Sequence, residues 1–386
     1  MKVGILTFHS QLNYGGVLQC LALQTALEKL GHEVVVIDRW LSKDNYMLER
    51  GYNAMGLKAW VKFLLRSCMG LGDFSRFIRS RRTKRFLRRR LHLSPYHFVE
   101  WRDAPKDLGV DMLVVGSDQV WHCGDWGDPR VYLLEGAPKI PAISYAASFG
   151  MTMLPQGFVD LYKRGLSKFK AISCREAEGV EICRQLGFDA THVVDPTLLA
   201  WGADAETASK RHKRTELVCY FLTERIENHV AALESFARSN KCLIKVLVNE
   251  TYALPFPKNS VSAKRYTHGL FARLYPHVKI MGAAGPEEFL SMFKHAKWVV
   301  SDSFHALMFS ICNGCDPRII RPSALSRKKM FARIQEFAAH AQGPLIVDSV
   351  PSALASISTG GRVSFDYSWL TTRRNASQCW LRHTKD

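Results

Sequence analysis

The chain has 386 residues, of which 47% are hydrophobic and 23% charged, and its net charge is +18. This composition excludes a disordered chain and favours two domains, at about 150 residues per domain. The excess positive charge predicts an acidic partner: nucleic acid, an anionic membrane surface or an anionic substrate. No run of about 18 apolar residues occurs, so we expect no bilayer-spanning segment. The first eight residues turn polar too soon to form a signal peptide.

Ten cysteines are scattered among apolar neighbours, which predicts reduced core thiols in a cytoplasmic protein. Only Cys312 and Cys315 form a CxxC pair, and without a second pair nearby this pair does not indicate a metal or redox site. No carboxylate and histidine cluster has metal-ligand spacing, so we expect a protein that works without a metal.

The N-terminus reads as a βαβ unit of the doubly wound kind. A strand over Val3–Phe8 is followed by a polar loop and by a helix with apolar residues at helical spacing. A second buried strand, Val34–Ile37, follows. The loop residues Asn13, Tyr14 and Gly15 let the backbone approach a ligand at the helix start. They lack the GxGxxG fingerprint, so a dinucleotide site is not expected.

A basic helical insertion is predicted over residues 57–91. Residues 57–71 have an amphipathic helical pattern, and residues 76–90 carry eight arginines and one lysine with no acid. Such a helical pair suits adsorption to an anionic membrane leaflet, at roughly 1 kcal/mol per cation near the surface. The alternative is a solvated helical insertion. Nucleic acid is not the expected partner, because no helix-turn-helix, zinc-finger or aromatic signature accompanies the patch.

Polar residues follow several of the predicted strands at their carboxyl ends. Ser117, Asp118 and Gln119 follow one strand, Ser148 follows the next, and Arg175 follows a third. The carboxyl ends of parallel strands meet at one edge of a sheet, so these side chains are expected to converge there. Each of them alone could be an ordinary turn residue.

A second α/β unit is predicted after a polar stretch at 202–215. We therefore expect an N-terminal Rossmann-like domain over 1–205 and a C-terminal one over 206–345. The segment 346–386 contains two tryptophans and is expected to pack back on the N-terminal domain. Residues 251–277 have no clear period and are expected to be irregular.

Residues 298–311 read as a short buried strand, a polar turn and a helix. In open α/β sheets, ligands bind beyond the strand ends, where helix N-termini offer N–H groups to anions. His305 therefore stands where a titratable group can meet an anionic substrate. In the alternative interpretation, Asp302 or Ser303 simply caps the helix and His305 packs in the core.

Six motifs, in this order, together resemble the polysaccharide pyruvyl transferase family over most of the chain. They are Asn13-Tyr-Gly-Gly-Val-Leu-Gln19, Val115-Gly-Ser-Asp-Gln-Val-Trp121, Ser144-Tyr-Ala-Ala-Ser-Phe-Gly150, Ser173-Cys-Arg-Glu176, Val194-Asp-Pro-Thr197 and Ser301-Asp-Ser-Phe-His-Ala306. The resemblance implies a GT-B-like fold, with two Rossmann-like domains facing across a cleft. It also implies transfer of pyruvate from phosphoenolpyruvate onto two hydroxyls of a sugar, with formation of a cyclic ketal and release of phosphate.

The resemblance also implies roles for matching residues. Arg175 matches an arginine expected to hold the donor phosphate or carboxylate, and His305 matches a histidine of the second domain. Many members carry arginine where this chain has Ser303, so one contact to the anion must come from elsewhere, such as helix-start N–H groups or another cation.

From the chemistry, His305 is our choice for the acid that protonates C3 of the donor, since imidazole titrates in the right range. Asp118 is the choice for the base or sugar-hydroxyl acceptor, with structural capping an equal alternative. Asp302 is expected to orient His305 or merely to cap the helix. The expected donor-binding residues are Asn13, Tyr14, Gly15, Ser148, Arg175, Ser303 and His305, and the expected acceptor-binding residues are Ser117, Asp118 and Gln119.

We expect phosphoenolpyruvate as co-substrate and no cofactor. The acceptor is expected to be a sugar of a surface polysaccharide or exopolysaccharide, or of its lipid-linked precursor, met at the inner face of the plasma membrane. Two rival functions share these features: a GT-B glycosyltransferase that uses a nucleotide sugar, and a non-enzymatic basic protein that binds lipid or nucleic acid.

Overall fold

The computed structural model describes residues 1–9, 12–40, 61, 74–124, 128–202, 214–248, 270–322 and 325–383. None of the helices in these ranges combines the length and apolar character that crossing a bilayer requires.

The first domain is built on a sheet of five parallel strands. In chain order the strands are β1 (Lys2–Leu6), β2 (Glu33–Arg39), β3 (Leu93–Phe98), β4 (Met112–Val115) and β5 (Ala142–Ser144). Across the sheet they lie in the order β3-β2-β1-β4-β5. β4 and β5 are fully buried and, apart from Ser144, apolar, as expected where helices cover both faces of a parallel sheet. The strand order reverses between β1 and β4, which is where ligands bind in such folds.

The helices and short strands of this domain surround the sheet. The helices are α1 (Tyr14–Lys29), α2 (Phe74–Arg90), α3 (Val159–Leu166), α4 (Ala177–Gln185) and α5 (Pro196–Trp201). A small parallel pair, β6 (Ser173–Cys174) and β7 (Thr191–His192), continues the sheet edge through a bridge between Ala147 and Cys174.

The second domain repeats this architecture with six parallel strands. They are β8 (Glu216–Phe221), β9 (Leu243–Val248), β10 (Val278–Ile280), β11 (Ala296–Ser301), β12 (Asp316–Ile320) and β14 (Ile346–Val347). Their order is β10-β9-β8-β11-β12-β14, so the strand order reverses between β8 and β11. The two parallel sheets confirm the predicted α/β class with two Rossmann-like domains.

The helices of the second half are α6 (Val230–Ser239), α7 (Leu270–Leu274), α8 (Pro286–His295), α9 (Phe304–Asn313), α10 (Leu325–Ala339), α11 (Val350–Ser358) and α12 (Tyr367–His383). Two short antiparallel strands, β13 (Ala341–Gln342) and β15 (Ser364–Phe365), lead from α10 and into α12.

An apolar contact joins the domains beside the cleft. The ring of Tyr14 at the start of α1 stacks on Phe289 of α8, with centroids 4.7 Å apart. Its hydroxyl donates to the carbonyl of Ala284 at 2.8 Å. One buried apolar cluster runs through both domains and includes both rings.

α12 crosses back from the second domain to the first. Its Ser377 hydroxyl accepts a hydrogen bond from the Val194 N–H at 3.0 Å, and the ring of Trp380 lies 6.1 Å from that of Tyr145. The last described helix therefore packs against the first domain.

The basic segment 76–90 forms most of α2, and only part of it faces solvent. Arg79 is buried and its NH1 donates to the Val248 carbonyl at 2.6 Å. Arg82 donates to the Ala283 carbonyl and pairs with Glu288 at 3.0 Å. These three partners belong to the second domain, so α2 links the two domains as well as extending the first.

Several local predictions need correction. Leu270–Leu274 forms a short helix inside the stretch predicted to be irregular. The apolar spacing of the second unit also predicts a helix from Ile226, but the helix begins only at Val230, after a single 3₁₀ turn. The predicted helix over 57–71 lies outside the described residues except for Val61, as does most of the predicted boundary at 202–215.

Candidate active site

The site lies where the switch points of the two sheets face each other. The loop after β1 and the turn after β4 come from the first domain, and the turn after β11 comes from the second. The first domain delivers Asp118, Ser148 and Arg175 to this place, and the second delivers His305. The convergence predicted for the strand ends of the first domain is thus present, because parallel strands end on one edge.

Arg175 is the centre of the first-domain half. It is buried, and three carboxylates surround its guanidinium. Nε donates to Glu176 at 3.2 Å, NH1 donates to Asp195 at 3.1 Å, and NH2 lies 3.7 Å from Asp118. Burial lowers the pKa of Arg175, but the three carboxylates outweigh it and raise the pKa above its ordinary value. Arg175 therefore stays charged.

Asp195 holds Arg175 and caps α5 at the same time. Its Oδ1 accepts from the backbone N–H of Thr197 at 3.0 Å and from the Thr197 hydroxyl at 2.7 Å. Its Oδ2 accepts from Arg175 and, at 3.4 Å, from the Ser117 hydroxyl. Burial raises the pKa of Asp195, but His305, Arg175 and the Thr197 bonds outweigh it and leave the pKa below its usual value. The carboxylate is therefore ionised.

Glu176 ties Ser148 into the same network. The Ser148 hydroxyl donates to Glu176 Oε1 at 2.7 Å, and the same oxygen accepts from Arg175. Ser148 is fully buried. Its hydroxyl also accepts the Gly150 N–H at 3.1 Å, so within the described residues this hydroxyl is held between Glu176 and Gly150.

His305 lies in the first turn of α9 and approaches the same carboxylate as Arg175. Its Nε2 is 3.9 Å from Oδ2 of Asp195, and this buried nitrogen has no hydrogen-bond partner among the described residues. Burial lowers the pKa of His305, and the carboxylates of Asp118 and Asp195 only partly oppose this effect. The imidazole of the ligand-free protein is therefore biased towards the neutral form.

The turn before α9 is fixed by hydrogen bonds. Ser303 is the N-cap, with its hydroxyl accepting from the Ala306 N–H at 3.4 Å. The Asp302 carboxylate accepts from the backbone N–H groups of Leu222 at 2.6 Å and Thr223 at 2.7 Å, and also from the Thr223 hydroxyl. Asp302 thus joins the ends of β8 and β11, and the turn it fixes carries His305.

The first turn of α1 lies against the imidazole. Asn13 caps α1 by accepting the Gly15 N–H at 3.0 Å. A Cβ placed on Gly15 would lie 2.2 Å from Nδ1 of His305, so only glycine allows this approach. Tyr14 is occupied by the domain contact described above.

The turn after β4 adopts an unusual backbone. Asp118 has a φ of 70°, in the left-handed region, and its side chain is 11% exposed. Its Oδ1 accepts the Gln119 N–H at 2.9 Å. Ser117 is fully buried and turns towards Asp195. Of the three residues assigned to acceptor binding, Asp118 is the one brought beside Arg175 and His305.

The sequence assigned no role to three residues that the structure adds to the site. Asp195 and Glu176 lie inside motifs quoted above, so their motif membership was the available signal. Arg333 on α10 lies in no motif. Its guanidinium carbon is 4.9 Å from the centre of the Phe304 ring, and that of Arg175 is 4.8 Å from the same ring.

Among the described residues, no group of three or more histidine, cysteine, aspartate or glutamate side chains is arranged to hold a metal ion.

Solved structures with a similar fold include three UDP-GlcNAc 2-epimerases. The enzyme from Neisseria meningitidis bound to UDP-GlcNAc matches with a TM-score of 0.50 at 9% identity, over 100% of both chains. The one from Rickettsia bellii gives 0.49 at 9% identity, over 97% of this chain and 92% of that one. The one from Methanocaldococcus jannaschii gives 0.47 at 12%, over 93% and 92%. At such identities the likeness shows the fold alone, which is GT-B.

A comparison with curated proteins gives no match. The model of one family, described as polysaccharide pyruvyl transferase, matches residues 13–323, which is most of the chain and includes both halves of the site. The chain belongs to the polysaccharide pyruvyl transferase family.

Proposed function

We propose that this protein transfers pyruvate from phosphoenolpyruvate onto two hydroxyls of a sugar in a surface polysaccharide or its lipid-linked precursor. The product is a cyclic ketal, and phosphate is released. The observation that carries the proposal is the meeting of Arg175 and His305, from different domains, at one carboxylate oxygen of Asp195.

Binding of phosphoenolpyruvate is supported by buried nitrogen atoms that lack hydrogen-bond partners. Arg175 NH2 and His305 Nε2 are buried and make no hydrogen bond within the described chain. The N-terminus of α9 lies beside them, and helix N-termini favour anions. Phosphoenolpyruvate carries a carboxylate and a phosphate, and both groups are anions that guanidinium and imidazole N–H groups bind.

The proposed reaction begins with proton transfer from His305 to C3 of the donor, while the first sugar hydroxyl forms a bond to C2. The C2–O bond to phosphate then breaks, and phosphate leaves with the bonding electrons. The second hydroxyl adds to the resulting oxocarbenium-like C2 and closes the ketal. Of the two hydroxyl protons, one ends as the third hydrogen on C3 and the other leaves with phosphate. The chemistry needs no cofactor besides the donor.

His305 acts as an acid in this scheme although burial lowers its pKa in the free protein. A bound dianion next to the ring favours the imidazolium form, as any nearby negative charge does. The Asp195 carboxylate at 3.9 Å adds to this stabilisation. Binding of phosphoenolpyruvate is therefore proposed to convert His305 to its imidazolium form, which then protonates C3.

Asp118 is proposed either as the base or as the hydrogen-bond acceptor that holds a sugar hydroxyl. Its carboxylate is partly exposed and lies at the switch point, 3.7 Å from Arg175. The acceptor sugar is proposed to enter from this side.

The exposed face of α2 is proposed to hold the enzyme at an anionic membrane surface. Arg81, Arg85, Arg88 and Arg89 are exposed and follow helical spacing on one side of α2. No acidic side chain of the described chain pairs with them. Such cations attract anionic lipid at about 1 kcal/mol each. This placement would bring the cleft close to a lipid-linked acceptor.

The test of the proposed function is a direct comparison of donors. The purified protein is incubated with a lipid-linked oligosaccharide fraction and either phosphoenolpyruvate or UDP-GlcNAc. We expect phosphate release that requires both phosphoenolpyruvate and acceptor, and a ketal detected by mass spectrometry. Consumption of UDP-GlcNAc instead would overturn the proposal in favour of glycosyl transfer.

A further inference from the structure

Arg333 of α10 brings a second guanidinium into the buried site. Its side chain is 14% exposed, and its Nε and NH1 atoms are buried and make no hydrogen bond within the described residues. The nearest carboxylate oxygen, Oε1 of Glu176, is 3.9 Å from NH1 and already accepts bonds from Ser148 and Arg175. Arg333 is thus held near an acid that is occupied by other donors.

The two arginines crowd one aromatic ring. Both guanidinium carbons lie within 5 Å of the centre of Phe304, at 4.8 Å for Arg175 and 4.9 Å for Arg333. Burial and, after it, the charge of Arg175 lower the pKa of Arg333 to about 10, against the opposing effect of the nearby carboxylates. A buried charge without hydrogen-bond partners is costly. A bound anion would supply the hydrogen-bond partners that the buried nitrogens of Arg333 lack in the ligand-free protein.

The unpaired N–H groups of the site fit a ligand with two anionic groups better than a ligand with one. Arg175 has three carboxylates around it, and NH2 is its one buried nitrogen without a hydrogen bond. Arg333 offers two such nitrogens. A guanidinium binds two oxygens of a phosphate or carboxylate together through NH2 and either Nε or NH1, as Arg184 does with Nε and NH2 on Glu181.

We infer that Arg333 binds one anionic group of the donor through its guanidinium, while Arg175 NH2 and His305 face the other. This inference rests on the proposed function for the identity of the donor, but not for the existence of the anion site. Arg333 is then a binding residue from outside the motifs. It supplies a cation to a site in which this chain has Ser303 where many family members have arginine.

The test uses Arg333→Gln and Arg333→Lys, with inorganic phosphate, pyruvate and phosphoenolpyruvate as separate titrants in calorimetry. A forked contact to a charged group corresponds to roughly 10- to 100-fold in affinity. We expect that loss for phosphoenolpyruvate with Arg333→Gln, and incomplete recovery with lysine, which lacks the fork. The simple anion whose affinity falls in parallel identifies the group that Arg333 holds: phosphate or carboxylate.

The melting temperature of the ligand-free variant separates binding from a structural role. If Arg333 binds the ligand, Arg333→Gln removes a buried charge that lacks hydrogen-bond partners in the ligand-free protein. The variant should then melt at or above the wild-type temperature. A lower melting temperature with unchanged phosphoenolpyruvate affinity would overturn the inference. The matched control is Arg184→Gln, whose side chain is 72% exposed and pairs with Glu181 on the surface.

The inference and the proposed function fail in different ways. If the wild type binds phosphate or pyruvate through Arg333 but never consumes phosphoenolpyruvate, the anion site stands and the proposed donor is wrong. If phosphoenolpyruvate is turned over and Arg333→Gln leaves its KM unchanged, the function stands and the role of Arg333 is wrong.

Discussion

Gly15 of the first domain lies against the imidazole of His305 in the second, so close that a Cβ on Gly15 would be 2.2 Å from Nδ1. The contact joins the N-terminus of α1 to the N-terminus of α9, where the two switch points face each other. It fixes the ring position from one side, while Asp195 approaches Nε2 from another at 3.9 Å.

Gly15→Ala is expected to displace the His305 ring. A displacement of about 1 Å in a catalytic group costs on the order of 100-fold in rate, so kcat for phosphate release should fall by about that factor. Gly16→Ala is the control, because its Cβ would meet nothing closer than 3.5 Å. That variant should keep its activity and gain stability from the better helix former. Equal rates for both variants would contradict the close contact.

His305→Gln is expected to abolish phosphate release while the fold persists. Loss of a positioned acid costs about 10²- to 10⁴-fold in kcat. Thermal melting and phosphate release, measured on the same preparation, check this prediction. A large fall in melting temperature would mean that His305 serves packing instead.

Donor binding is expected to take up a proton near neutral pH. Burial keeps the pKa of His305 below its ordinary value in the free protein, so the ring is mostly neutral there. A bound dianion raises the pKa, and the bound ring gains the proton. Affinity for phosphoenolpyruvate should therefore weaken as pH rises from the lowered pKa of the free ring through the higher pKa of the bound ring. Calorimetry in two buffers with different ionisation enthalpies measures the uptake, which should vanish in His305→Gln.

Asp195→Ala is expected to destabilise the protein strongly. It removes the α5 cap and leaves the buried guanidinium of Arg175 without its closest carboxylate. Breaking such a buried pair costs about 3–5 kcal/mol of unfolding free energy. Urea unfolding measures the loss. Glu181→Ala, which breaks an exposed pair that solvent screens, is the control and should leave the unfolding free energy close to that of the wild type.

Replacing Arg81, Arg85, Arg88 and Arg89 by glutamine is expected to release the protein from anionic vesicles. At about 1 kcal/mol per cation, partitioning should fall by roughly 10²- to 10³-fold. Sedimentation with phosphatidylserine vesicles tests this, with neutral phosphatidylcholine vesicles and Arg184→Gln as controls. Unchanged sedimentation, or tighter binding to DNA than to vesicles, would contradict a membrane role.

The local sequence pattern predicted much of the part of the site that the first domain contributes. Short apolar runs that end in polar residues predict parallel strands, and such strands place Asp118, Ser148 and Arg175 at one edge. The helix start that carries His305 was predicted in the same way. The spacing of α2 predicted a basic helix but could not predict that Arg79 is buried against Val248, because that contact depends on the second domain.

The sequence by itself determined the α/β class, the strand ends and the motifs of the family, because these depend on the alternation and order of nearby residues. Only the tertiary structure decided that Gly15 covers His305 and that Arg333 joins Arg175 at Phe304. Those residues lie far apart in the chain, and their meeting depends on how two independently formed sheets pack. A long side chain such as that of Arg333 can reach a site from a helix that shares no motif with it.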